Sequence, residues 1–164
     1  TFGKSLVNLD IGGGTTNIAV FTEGDPVDTS CLDIGGRQII LEPRSLKLTY
    51  VAEKIRILAE RMRLPLEEGR SATMKDLTAM CQRLAVIMAR SLGLNNSPAE
   101  DVKLFYTAHP LKKNWNLGGM TFSGGVADFI YKTTIRPILF PMATSALFWV
   151  IVFGNAPILE AWNC

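Results

Sequence analysis

The segment Asn8–Phe21, NLDIGGGTTNIAVF, contains residue types suited to phosphate chemistry. Asp10 ends an apolar run, and three glycines and two threonines follow it. Glycines let the backbone approach a polyphosphate, and successive N–H groups of such a turn can converge on phosphate oxygens. A carboxylate beside phosphates typically holds Mg²⁺ or orients an attacking water. The predicted phosphate-binding residues are Gly12, Gly13, Gly14, Thr15 and Thr16.

Two other phosphate-binding motifs are excluded by the residues around the glycines. No Gly-Lys-Ser/Thr follows, as a Walker A loop requires, and the turn leads into a strand rather than a helix, unlike a dinucleotide-binding GxGxxG. An ordinary glycine-rich β-hairpin is the structural alternative. The combination of apolar strand, Asp, Ile, GGGTT and second apolar strand favours phosphate binding over that alternative.

A second candidate motif lies at Thr121–Tyr131, TFSGGVADFIY, where a short apolar strand meets a helical pattern. Ser123 can cap the helix that starts near Val126, while Gly124 and Gly125 leave space for a ligand. Ser-Gly-Gly alone is a weak signal. Its position about 110 residues after the first motif, beyond a helical stretch, gives it weight in combination.

Strand-like runs surround the first motif. Ser5–Ile11, Asn17–Glu23 and Val27–Ile34 are short and largely apolar, and glycine-bearing turns separate them. This pattern predicts an antiparallel three-stranded meander.

The middle of the chain changes to helical spacing. Apolar residues recur every three or four positions in Val51–Arg63 and in Thr73–Leu92, which predicts two amphipathic helices. The second has Thr73 as its expected N-cap and Gly93 as its expected C′ residue. We also predict strands at Val102–Ala108 and Met120–Phe122. Strands, then helices, then a strand feeding a helix indicate an α/β domain.

Composition excludes several functional classes. The 17 Lys and Arg and 15 Asp and Glu give a net charge of +2 and are scattered, so charge gives no case for nucleic-acid binding. The three cysteines Cys31, Cys81 and Cys164 are widely separated and make no usual zinc spacing with His109. Free thiols in a reducing compartment are the simplest interpretation.

The first motif resembles the second phosphate loop of the actin, Hsp70 and sugar-kinase superfamily. Within it, the segment is similar to the ethanolamine ammonia-lyase reactivating factors, the family of ethanolamine utilization protein EutA, which also have Asn at the position of Asn17 where many relatives have Asp. The run Val27–Arg37, VDTSCLDIGGR, continues the match, and Arg37 at its end either contacts phosphate or is simply exposed. Thr121–Tyr131 resembles the superfamily's adenosine motif, so the resemblance covers about Leu6–Tyr131.

The resemblance implies a partial actin-like ATPase lobe of ribonuclease H-like α/β fold. Its cofactors are expected to be ATP and Mg²⁺, and its partner ethanolamine ammonia-lyase, an adenosylcobalamin enzyme from which damaged cofactor is released. No nucleic acid or membrane partner is expected, and the location is cytoplasmic, with association to a bacterial microcompartment as a further expectation. Asp10 is implied as the catalytic and Mg²⁺-binding residue. The implied nucleotide-binding residues are Gly12, Gly13, Gly14, Thr15, Thr16, Asn17, Ser123, Gly124, Gly125 and Val126.

The same resemblance predicts an incomplete protein. The chain begins with Thr1, and the first phosphate loop of the superfamily has no counterpart. We expect a partial ATPase domain at 1–131, with a helical insertion at about 45–115, and a divergent hydrophobic tail at 132–164.

The tail departs from the family. Ile138–Gly154 contains no charge, and a short transmembrane helix is one interpretation. The other is a slip of the reading frame between Tyr131 and Met142. Codons for Met142–Val150, read one base earlier, can spell YGDIGPLLG, which resembles the family's continuation.

Two alternatives to the reactivating factor stay open at the level of sequence. One is a different actin-like ATPase or a sugar kinase, whose sugar-binding residues would lie in the missing lobe. The other is a non-functional truncated product, or an interaction module that has lost nucleotide binding.

Overall fold

Three antiparallel strands form the meander predicted from the sequence. In the computed structural model, which describes residues 4–42, 44–96, 99–127 and 130, they are β1 (Ser5–Ile11), β2 (Thr16–Thr22) and β3 (Asp25–Leu32). Strands β1 and β2 pair antiparallel without a break in register, and β2 and β3 pair antiparallel with a register shift between Val20 and Phe21. In β1, alternate residues are buried in the core, so Asn8 and Asp10 lie on the opposite face of the sheet.

A fourth strand, β6 (Leu117–Ser123), pairs in parallel with β1. The strand order is β3-β2-β1-β6, a mixed sheet in which β1 is central. This arrangement confirms the predicted α/β class, and an antiparallel meander extended by a parallel strand is ribonuclease H-like. A parallel neighbour needs a long crossover, which residues 33–116 provide.

The crossover starts with a hairpin that the sequence patterns did not predict. It consists of β4 (Ile39–Leu41) and β5 (Leu48–Val51). The prediction that Val51 begins a helix is wrong, since it pairs with Ile39 as the last residue of β5. Ala52 follows with φ −58° and ψ 146°, an extended conformation that delays the helix to the next residue.

Two helices confirm the predicted amphipathic segments. Helix α1 spans Glu53–Met62 and α2 spans Met74–Ser91. The Thr73 hydroxyl accepts a hydrogen bond from the Asp76 backbone N–H at 3.1 Å, the predicted N-cap. Gly93 follows α2 with φ +76°, the left-handed conformation that suits a C′ glycine.

Helix α3 (Ala99–Phe105) replaces the predicted strand Val102–Ala108, so that prediction is wrong. The acidic first turn of α3 favours a helix start, and Asp101 accepts hydrogen bonds from Arg61 of α1 and from Arg83 of α2. Burial acts to raise the pKa of Asp101, but the two guanidinium groups outweigh it and the pKa lies below its ordinary value. Asp101 therefore ties the three helices together.

A second carboxylate holds the end of the crossover against the sheet. Asp28 of β3 is buried and accepts hydrogen bonds from the Lys112 backbone N–H at 2.7 Å and the Trp115 indole N–H at 2.9 Å. Burial acts to raise the pKa of Asp28, but the bonds from Trp115, Lys112 and Thr29 outweigh it, so the pKa lies below its ordinary value. This contact positions the chain just before it enters β6.

One hydrophobic core joins the inner sheet face to the hairpin and helices. Its largest fully buried side chains are Phe105, Leu9, Ile11, Ile18, Leu32, Ile34, Leu48, Ile55, Leu58, Leu66, Leu77 and Met80. Among the described residues, no helix has both the length and the apolar character needed to span a bilayer. The tail at 132–164, including its uncharged stretch, lies outside the described residues.

Candidate functional site

The glycine turn between β1 and β2 is closed by its own backbone. The Gly12 N–H donates to the Thr15 carbonyl at 2.9 Å. Thr16 is fully buried, and its hydroxyl donates to the Ile34 carbonyl at 2.7 Å. A hydroxyl has one proton to donate, and Thr16 donates it to Ile34, so this side chain anchors the turn to the chain after β3. Thr15 is instead exposed at the turn.

The segment 36–38 holds the carbonyl groups of all three glycines. The Gly36 N–H donates to the Gly12 carbonyl at 2.9 Å, and the Arg37 N–H donates to the Gly13 carbonyl at 2.7 Å. The side-chain amide of Gln38 donates to the Gly14 carbonyl. With these carbonyls fixed by one neighbouring segment, the orientation of each peptide unit in the turn is also fixed. The N–H groups of the turn are therefore held in place without the help of a ligand.

Gly35 explains how this segment comes so close to the turn. A Cβ atom at this position would lie 2.6 Å from the Gly13 carbonyl oxygen and 2.6 Å from the Gly14 carbonyl carbon. Only a residue without a side chain permits this backbone approach. The Gly-Gly-Arg sequence at 35–37 was noted as part of the resemblance of Val27–Arg37 to the family, but its contact with the glycine turn was not predicted.

The two sequence motifs meet at Asp10. In the parallel register, Asp10 of β1 lies beside Ser123 of β6. The Ser123 hydroxyl donates to Asp10 Oδ1 at 3.3 Å and accepts from the Asn8 amide at 3.0 Å. Thr121 in turn donates to Asn8 Oδ1 at 2.9 Å. Through these bonds the Ser123 hydroxyl orients the Asp10 carboxylate.

The residue after Ser123 brings the second turn against the first. Gly124 has φ +82°, and a Cβ atom there would lie 2.5 Å from the Ile11 carbonyl oxygen and 2.6 Å from Asp10 Oδ1. The backbone N–H of buried Val126 donates to the same Ile11 carbonyl at 3.3 Å. Gly125 borders open space, with no heavy atom within 4 Å of the place where a Cβ atom would stand. The positions predicted from the two motifs thus lie around the end of β1. Asn17 is among them, since it pairs with Asp10 across β1 and β2, and it is exposed.

The arrangement fits a magnesium–nucleotide complex. Within the described ranges, no group of three or more His, Cys, Asp or Glu side chains could share a metal ion. Mg²⁺ usually takes only one or two carboxylates and completes its shell with substrate phosphates and water. A lone Asp10 beside a glycine turn meets that requirement, and the open space at Gly14 and Gly125 leaves room for the nucleotide.

Comparison with known proteins identifies relatives over most of the chain. The sequence profile of the family described as "Ethanolamine utilisation protein EutA" matches residues 2–141. The ethanolamine ammonia-lyase reactivase EutA of Escherichia coli (strain K12) is 25% identical over 146 residues. The reactivase of the same name from Salmonella typhimurium (strain LT2) is 24% identical over 146 residues. Each alignment covers 87% of this chain but 31% of the relative, so the chain spans about a third of their length.

Two solved structures are also similar to the chain. The ethanolamine utilization protein EutJ from Carboxydothermus hydrogenoformans is 16% identical, with a TM-score of 0.34 and coverage of 93% of this chain and 50% of that one. MreB 5 of Spiroplasma citri, solved bound to AMPPNP, is 16% identical, with a TM-score of 0.34 and coverage of 99% and 55%.

Proposed function

We propose that this chain, which belongs to the ethanolamine utilisation protein EutA family, forms part of the nucleotide-binding lobe of an ATP-dependent reactivating chaperone for ethanolamine ammonia-lyase. The observation that carries the proposal is the meeting of the two motifs at Asp10, where Ser123 and Gly124 contact the end of β1 immediately before the glycine turn. The curated relatives are named as reactivases of that enzyme, which supports the choice of partner.

Each part of the site has a proposed task. The turn binds phosphate oxygens through the N–H groups of residues 13–15 and the Thr15 hydroxyl, while the Gly12 N–H closes the turn and Thr16 anchors it. Asp10, oriented by Ser123, holds Mg²⁺ or a water, and residues 123–126 border the nucleoside. When bound, magnesium–ATP would supply a β–γ phosphoanhydride bond, and its hydrolysis by water to ADP and phosphate can bias a closure of two lobes. We propose that this closure drives the exchange of damaged for intact adenosylcobalamin on the partner enzyme.

The domain division is part of the proposal. Residues 1–131 form the partial ATPase domain, with a helical insertion at about 45–115, and residues 132–164 form the divergent tail, which is read out of frame after a slip between Tyr131 and Met142. The family match ends at residue 141, just before Met142–Val150, the stretch whose codons, read one base earlier, can spell a family-like continuation. Sequencing the gene tests the tail, because the idea fails if no single-base shift restores a family-like continuation. We also propose a cytoplasmic location with association to a bacterial microcompartment.

Binding of magnesium–ATP, measured by calorimetry, tests the nucleotide site. We expect a Kd between about 1 μM and 1 mM, roughly −8 to −4 kcal/mol, for the 164-residue chain. Asp10→Ala should weaken binding in Mg²⁺, whereas Asp25→Ala, an exposed carboxylate at the start of β3, should not. No binding by a folded chain, or equal binding by the two variants, would contradict the proposed site.

Capture of ethanolamine ammonia-lyase tests the partner separately. The chain, immobilised with and without magnesium–ATP, is mixed with purified enzyme. Nucleotide-dependent retention supports a reactivating chaperone. Nucleotide binding without any retention would instead indicate another actin-like ATPase or a sugar kinase.

A further inference from the structure

A polar cavity of about 490 Å³ lies beside the glycine turn, on the side of Gly13 and Gly14. Its other walls come from the segment that supports the turn and from the start of α1. The charged side chains in its lining are Asp33, Arg37, Glu53 and Lys54. The sequence leaves Arg37 open between phosphate contact and simple exposure, and it indicates no role for the other three.

Arg37 is attached to the turn at two levels. Its backbone N–H donates to the Gly13 carbonyl at 2.7 Å. Its side-chain stem crosses the same glycine, with Cδ 3.3 Å and Nε 3.8 Å from the place where a Gly13 Cβ would stand. The stem of Arg37 therefore lies against the turn, while the residue as a whole is exposed.

The charges around Arg37 are not equally available. Lys54 Nζ forms an ion pair with Asp33 Oδ2 at 3.0 Å, so these two charges largely cancel. Over the part of the chain that the structure describes, the Arg37 guanidinium makes neither an ion pair nor a hydrogen bond. A guanidinium whose stem lies against the glycine turn, and whose five donors make no bond to the described residues, is suited to bind a phosphate group there. Glu53 also lines the cavity without an ion-pair partner in those residues, and its negative charge opposes such an anion.

We infer that Arg37 is a phosphate-binding residue that makes the site selective for nucleotides with a di- or triphosphate chain. The inference rests on the proposed nucleotide-binding function and adds a residue to it. Gly13 holds Arg37 in place, and the turn and the guanidinium bind successive phosphates of one chain. Glu53 limits the affinity, so that loss of its charge strengthens binding.

Inorganic tripolyphosphate without Mg²⁺ is the direct probe, because it removes the contribution of Asp10 to metal binding. Calorimetry on the full chain should give about tenfold to a hundredfold weaker binding for Arg37→Ala. Arg37→Lys should recover part of the loss, since it keeps the charge but not the bidentate geometry. Glu53→Gln should bind more tightly than the unmodified chain. The matched control is Arg44→Ala, which removes an equal charge from an exposed position outside the cavity.

The outcomes separate this inference from the proposed function. If Arg37→Ala and Arg44→Ala bind tripolyphosphate equally, the role of Arg37 is refuted, whatever magnesium–ATP does. If tripolyphosphate binding depends on Arg37 but magnesium–ATP binding is absent or independent of Asp10, the proposed function fails and the anion site stands. A series of ATP, ADP and AMP gives the selectivity, and equal affinity for ATP and AMP would also overturn the inference.

Discussion

Replacement of Gly35 by alanine tests whether the segment after β3 supports the glycine turn by direct contact. The added methyl group would stand 2.6 Å from backbone atoms of Gly13 and Gly14. Non-bonded carbon contacts are ordinarily about 3.5–4.0 Å, so the two backbones must separate by roughly 1 Å. Overpacking of this kind costs about 1–3 kcal/mol. It also stretches the hydrogen bonds that hold the three glycine carbonyls.

The matched control is Gly14→Ala. No atom lies within 4 Å of its would-be Cβ, and its φ is not positive, so alanine fits there without strain. Urea unfolding followed by circular dichroism should show Gly35→Ala to be less stable by about 1–3 kcal/mol, with a melting temperature roughly 3–10 °C lower. Gly14→Ala should be unchanged or up to about 1 kcal/mol more stable. Equal stabilities for the two variants would refute the proposed support.

Three further predictions concern two carboxylates that hold the crossover in place, Asp101 and Asp28, and one thiol within it, Cys81. Asp101→Asn should reduce the free energy of unfolding by about 1–3 kcal/mol, because both arginine partners lose a charged acceptor, and urea titration at neutral pH measures it. Asp28→Asn should lower the free energy of unfolding by about 1.5–3 kcal/mol at pH 7. Because the pKa of folded Asp28 lies below the ordinary 3.8, the difference in unfolding free energy between the variant and the unmodified chain should shrink as the pH falls below that value. A difference that stays constant from pH 7 to pH 3 would contradict this. Burial raises the pKa of the Cys81 thiol to about 12, so little of the reactive thiolate is present at pH 8. Iodoacetamide should therefore label Cys81 at least about tenfold more slowly in the folded chain than in urea, as measured by peptide mapping.

The local patterns that could be predicted are those in which a single segment determines its own conformation. The three strands of the meander alternate buried and outward residues and are separated by glycine turns, so their approximate bounds followed from sequence. Helix α2 was predicted with its N-cap Thr73 and its C′ residue Gly93, because both terminal signals lie within the segment. The predicted phosphate turn likewise depended on residues adjacent in the chain.

The features that could not be predicted depend on contacts between distant segments. The apolar residues near Val102 suit a strand or a helix, and the ion pairs of Asp101 with α1 and α2 favour the helix. Hairpin β4–β5 has strands of only three and four residues, too short for a clear alternating pattern. The role of Gly35 requires knowledge that its backbone touches Gly13, which no local pattern contains.

The parallel pairing of β1 with β6 also has a consequence for the order of folding. Asp10 and Ser123 are 113 residues apart in the chain, so the second half of the site forms only after a very long loop has closed. Closing a loop of that length costs about 4 kcal/mol of chain entropy. During synthesis the meander leaves the ribosome before residues 117–123, so the edge of β1 that they cover is unpaired until they emerge. A chaperone that shields this edge in the nascent chain should therefore raise the yield of folded protein more than one that acts after release.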